Sequence, residues 1–95
     1  MPAFIVATVT IVDQAKFAAY GAAIRGLADE FGGEYLVRGA VETVLEGHAA
    51  VGERVVILRF PDAAAARRFY DSDAYQAARA LREGAADIAM RLVVG

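Results

Sequence analysis

From Phe4 to Val12 the chain is continuously apolar or β-branched (Phe-Ile-Val-Ala-Thr-Val-Thr-Ile-Val), the pattern of a strand buried on both faces. At Asp13 the period changes. Phe17, Tyr20, Ile24, Leu27 and Phe31 recur at spacings of three and four, which predicts one helix over about Gln14–Phe31 with five large side chains on one face. Asp13 is its N-cap, because a carboxylate accepts from the unpaired amides of the first turn, and Gly32-Gly33 ends it. Glu34–Arg38 alternates as a strand, Gly39-Ala40 breaks it, and Val41–Glu46 resumes extended character before a Gly47–Glu53 loop. Val55–Phe60 is a second strongly apolar strand. Pro61-Asp62 then opens a helix that Asp62 caps and Ala63–Ala66 favour by propensity. Asp71-Ser72-Asp73 reads as a break with a fresh cap, after which Tyr75, Ala78, Leu81 and Ala85 share a face. Ile88–Val94 closes the chain as a strand.

The order β-α-β(β)-β-α-β, with helices separated by strand pairs, implies a ferredoxin-like βαββαβ α+β sandwich: an antiparallel sheet with both helices on one face. Separating each strand by parity sharpens this expectation. Ile5, Ala7, Val9, Ile11, Val56, Leu58, Phe60, Ile88, Met90, Leu92 and Val94 form a uniformly apolar face that belongs under the helices. The opposite face carries Phe4, Val6, Thr8, Thr10, Leu36, Val55, Ile57, Ala89 and Val93, with Arg38, Arg59 and Arg91 among them. That face is too apolar for water, so it predicts a partner, and a second copy across a two-fold axis supplies one. Its arginines and threonines have two readings. Enclosed between two sheets, they would line a cavity suited to a small anionic or enolic ligand. At strand ends, they would reach water and pair with Glu34, Glu42 or Glu46.

Composition narrows the chemistry. The 95 residues make one domain over 1–95. Hydrophobic residues are 58%, but 22 of these 55 are alanine, so the core is modest. With no cysteine there is no disulfide framework or thiolate metal site, and one histidine cannot build a multi-histidine metal centre. A net charge of −2 gives no footprint for nucleic acid or anionic lipid. Ala3–Val12 is too short for a membrane span and no Lys or Arg precedes it, so a soluble cytoplasmic protein with neither nucleic acid nor membrane as partner is expected.

Gly32-Gly33-Glu34-Tyr35-Leu36-Val37-Arg38-Gly39, Val44-Leu45-Glu46-Gly47, Arg54-Val55-Val56-Ile57-Leu58-Arg59-Phe60-Pro61, Ala66 and Phe69-Tyr70-Asp71-Ser72-Asp73-Ala74-Tyr75 together resemble the DUF1330 family of small bacterial proteins, within the dimeric α/β-barrel superfamily. The resemblance runs from Thr10-Ile11-Val12-Asp13 to Leu92-Val93. It implies a ferredoxin-like fold and back-to-back dimers, and it implies no established reaction. The wider superfamily holds cofactor-free monooxygenases, muconolactone isomerase-like enzymes and haem-binding relatives. Where the family carries an acidic residue and a tryptophan after Glu46-Gly47, this chain has His48 and Ala49; where it has proline after Asp71-Ser72, this chain has Asp73.

His48 is the one side chain that titrates near neutrality without perturbation, and it also reads as an exposed loop residue. Glu46 suits a general base if it is buried beside Arg38, and otherwise a surface ion pair. Tyr20 belongs to the helical stripe and so to the core, while Tyr75 follows the Ser72 cap and can reach toward the Arg38-Gly39 turn. The resulting expectation is a cofactor-free, metal-free homodimer whose sheet-face pocket binds a small anionic or enolic molecule. In it Arg38, Tyr75 and Thr8 would hold the ligand and Glu46 or His48 would move a proton. Two alternatives stand beside it: a non-enzymatic binding or stress-associated module with no active site, and, implied by the superfamily alone, haem binding through His48.

Overall fold

In the computed structural model, which describes residues 1–95, β1 (Ala3–Ile11) is followed by α1 (Gln14–Ala23), a 3-10 turn (Ala28–Phe31), β2 (Glu34–Ala40), β3 (Arg54–Phe60), α2 (Ala63–Asp71), α3 (Asp73–Leu81) and β4 (Ala86–Val94). The strands form one antiparallel sheet in the order β2-β3-β1-β4, which is the ferredoxin-like α+β fold that the element order implies. Parity decides the layers. Ala3, Ile5, Ala7 and Val9 of β1, with Leu58 and Phe60 of β3, are buried beneath the helices. Phe4, Val6, Thr8, Val55 and Ile57, one residue out of phase, stay half-buried on the outer face with nothing over them. The molecule is a slab of 32 × 31 × 16 Å. No helix is long and apolar enough to cross a membrane.

The helix caps fall where the sequence puts them. Asp13 accepts from the Lys16 amide at 3.1 Å, Asp62 from the Ala65 amide at 2.8 Å, and the Ser72 hydroxyl from the Tyr75 amide at 3.1 Å. Asp62→Ala is expected to cost about 1 kcal/mol, read as a fall of about 4–8 °C in a thermal melt followed by circular dichroism. An unchanged midpoint would mean that water replaces the cap without loss.

Three element boundaries and one face assignment differ from the sequence reading. The first helix ends at Ala23 rather than Phe31, because Gly26 takes a left-handed φ of 75° and the chain restarts as the 3-10 turn. The apolar spacing misleads here because Leu27 and Phe31 still turn inward after the break. Val41–Glu46 is not extended pairing; the arm from residue 41 to 53 is closed at its base by Val41 N–H to Glu53 O (2.8 Å) and Gly52 N–H to Val41 O (2.9 Å). Gly39-Ala40 does not break β2, which continues through both. Leu81 does not share the inner face with Tyr75 and Ala78, being 47% exposed at the end of α3.

The core is aromatic and off-centre. Phe60, Phe69 and Tyr75 are its largest fully buried side chains, with ring centroids 5.3 Å (Phe60–Phe69) and 5.0 Å (Phe69–Tyr75) apart. Gly33 is required beside them, since a Cβ there would come within 2.5 Å of the Phe60 ring. α1, in contrast, packs on α3 and stands off the sheet. Its sequence explains why: only Phe17 and Tyr20 are large and apolar, and the rest of Gln14–Ala23 is mostly alanine and glycine.

Candidate ligand-binding cleft

The gap beneath α1 is a cleft of about 620 Å³, within the range of small-molecule sites. Its floor is the inner sheet face with Ile5, Leu58 and Met90. Tyr20 of α1 and Tyr75 of α3 close its deep end, and Arg25, Asp29, Tyr35, Arg38 and Arg54 stand at its exposed rim.

Arg38 reaches this rim through an irregularity. β2 pairs Tyr35 with Leu58 and Val37 with Ile57, leaving Leu36 as a bulge, so Arg38 falls opposite Val56 on the inner face. One extra residue reverses every side chain beyond it. Arg38 is therefore not on the outer face with Thr8, Arg59 and Arg91, so the three arginines do not share one face of the sheet. The Arg38 guanidinium lies 4.4 Å from the Tyr35 ring centroid, which positions the cation by its aromatic neighbour. Burial, only partly opposed by the Arg38 charge, raises the Tyr35 pKa above the usual tyrosine value.

At the deep end, the Tyr20 and Tyr75 hydroxyls are 2.8 Å apart and both residues are buried. Two phenols hold two protons, and one hydrogen bond between them uses one. With Tyr20 donating to Tyr75, the second proton points from Tyr75 toward the Met90 sulfur at 3.9 Å, a weak acceptor that a ligand oxygen would displace. Burial and then the adjacent Tyr75 phenol push the Tyr20 pKa far above the ordinary range, so this hydroxyl stays neutral and keeps its proton. The Arg82 guanidinium lies 5.0 Å from the Tyr20 ring centroid and backs the pair from outside the cleft.

Of the five residues singled out from the sequence, the cleft gathers two, Arg38 and Tyr75. Thr8 sits on the outer face, between Val55 and Ala89. Glu46 and His48 are exposed on the 41–53 arm and do not line the cleft, so the burial beside Arg38 that Glu46 needed to act as a base is not present. Arg59 pairs with Glu34 at 3.6 Å in the open, where such a pair contributes little. Tyr20, Tyr35, Arg54 and Met90 belong to the site and were missed as site residues. Tyr20 carried a signal, since its helical spacing placed it inside and a buried phenol needs a partner. No group of His, Asp and Glu side chains converges as a metal site.

No curated protein matches the chain. Among solved structures it is similar to the RPA0582 protein of unknown function from Rhodopseudomonas palustris (22% identity, 97% of this chain and 80% of that one, TM-score 0.76). It is similar also to a dimeric ferredoxin-like protein of unknown function from Jannaschia sp. CCS1 (15% identity, 100% of both chains, TM-score 0.76). A third is SnoaB, a cofactor-independent oxygenase from Streptomyces nogalater (16% identity, 99% of this chain and 92% of that one, TM-score 0.69). At these identities the likeness is one of fold. The family model described as "Domain of unknown function (DUF1330)" matches residues 2–95, so the sheet, the bulged β2 and the cleft beneath α1 all lie within the matched span, and the chain belongs to the DUF1330 family.

Proposed function

We propose that this protein is a homodimer, joined through its outer sheet faces, that binds a small, apolar-bodied acid or enol in the cleft beneath α1. The observation that carries the reading is the bulge at Leu36, which turns Arg38 into the same cleft as the Tyr20–Tyr75 phenol pair. A cation at the rim and a neutral donor at the deep end, separated by apolar wall, recognise a molecule with an anionic group at one end and an oxygen acceptor at the other. Binding, rather than proton transfer, is the function proposed. Asp29, at the rim, is the one carboxylate that lines the cleft, and Glu46 and His48 are away from it. His48 does not line this cleft, so no ligand is assigned to it.

The surface favours a dimer. At 6004 Å², the accessible area is about 700 Å² above the roughly 5,300 Å² expected of a folded monomer of this mass, close to one partner's share of a standard interface. The Jannaschia neighbour is itself dimeric, and SnoaB, similar in fold, is a cofactor-independent oxygenase. Calorimetric titration with 2-naphthoate, a flat apolar monoanion, tests the assignment. Arg38→Ala is expected to weaken binding at least about tenfold, consistent with loss of a charge-assisted hydrogen bond, with dimerisation and melting temperature unchanged. Equal affinity in the variant, or no binding to the wild type, would overturn it.

A further inference from the structure

A second cavity, of about 320 Å³, opens between α2 and the edge strand β4. Ile5, Ala66, Met90 and Leu92 make its apolar floor, while Arg67, Asp71 and Arg91 stand exposed at its rim. Ile5 and Met90 also line the cleft beneath α1, so the two cavities meet at this pair of side chains.

Of the two, Ile5 is fixed in the core of the central strand. Met90 is different. It is half-buried, its one polar contact is the weak 3.9 Å approach of the Tyr75 hydroxyl, and an unbranched thioether changes rotamer at little cost. The wall facing it in the groove includes Ala66, which leaves room that a larger side chain would fill.

We propose that the cleft and the groove are two ends of one passage between sheet and helices, with Met90 as the movable partition. The ligand is then an elongated monoanion: its acidic group at Arg38, its acceptor oxygen at the Tyr20–Tyr75 pair, and an unbranched apolar chain beyond that oxygen passing Met90 into the groove. The charges set this direction. The cleft rim holds three arginines against one aspartate, whereas in the groove Asp71 offsets one of only two arginines. The inference rests on the binding reading above and adds the ligand's shape.

The test compares hexanoate, short enough for the cleft alone, with dodecanoate. In the wild type dodecanoate is expected to bind at least about thirtyfold more tightly, a fraction of the roughly fourfold per methylene that full burial supplies. It should shift the Leu92 and Tyr70 amide resonances and the Met90 methyl resonance, whereas hexanoate leaves Leu92 and Tyr70 in place. Met90→Phe, with its fold reported by far-ultraviolet circular dichroism, should cost dodecanoate at least about tenfold more affinity than it costs hexanoate. Equal affinity for the two acids, or dodecanoate shifts confined to outer-face residues such as Val6 and Ile57, would overturn the passage while leaving the cleft reading intact. Failure of 2-naphthoate to bind would overturn the cleft reading itself. The resonance shifts need no variant, so the proposal can fail even if Met90→Phe does not fold.

Discussion

Phe69→Ala is expected to destabilise the protein by about 3–5 kcal/mol, the range for deleting a fully buried phenylalanine side chain. Phe69 is 2% exposed. Its ring touches three others, at centroid distances of 6.1 Å to Phe31, 5.3 Å to Phe60 and 5.0 Å to Tyr75. These four side chains tie the 3-10 turn, β3, α2 and α3 to one another, and elsewhere the inner layer is largely alanine. A small domain has only about 5–15 kcal/mol of net stability, so this one deletion removes a large share. The cavity left by the ring adds to open space, because Phe69 already borders the hollow beneath α1. Urea denaturation measures the change. Leu81→Ala, at a 47% exposed position, serves as the comparison and should stay within about 0.5 kcal/mol. A loss below about 1.5 kcal/mol for Phe69→Ala would mean that the aromatic cluster repacks, and the cleft would then be a soft region rather than a preformed site.

The fold was legible because local and long-range signals agree in this chain. β1 alternates between a helix-facing and an outer set with no exception from Ala3 to Val9, and each helix start carries a side-chain cap that forms. The site was legible only in part, for a geometric reason. Its key residue, Arg38, lies two positions beyond a bulge, and whether β2 pairs straight or with Leu36 extruded depends on Tyr35 settling over Leu58 beneath the helices. Tertiary packing makes that choice, and no local pattern at Glu34–Arg38 encodes it. The same limit applies to helix length. The spacing through Leu27 and Phe31 is helical, yet Gly26 at a positive φ redirects the backbone while preserving which side chains face inward. Composition accounts for the hollow, although the sequence reading drew from it only a modest core. A chain with 22 alanines can form helices readily without supplying the volume to fill the space between them and the sheet, and α1 stands off β1 and β3 for that reason.

Ile57→Asp is expected to convert the proposed dimer to a monomer. On the outer face Ile57 lies between Val6 of β1 and Val37 of β2, and Thr8 and Val55 occupy the next row. In a single chain this position is half-buried and reaches solvent, so an aspartate there can remain hydrated and the fold is retained, as far-ultraviolet circular dichroism should show. In a face-to-face dimer the two-fold axis brings two such carboxylates into one apolar seam, where burying each unpaired costs several kcal/mol. The dimer dissociation constant should therefore rise at least about a thousandfold, equivalent to about 4 kcal/mol. At micromolar concentration, light scattering should report the monomer mass. Leu45→Asp supplies the contrast: Leu45 is 94% exposed on the 41–53 arm, outside the strands of the sheet, and its variant should remain dimeric. The reverse outcome, with Leu45→Asp monomeric and Ile57→Asp dimeric, would move the seam to the arm. The apolar outer face would then need a different partner, and the excess surface area would lose its explanation.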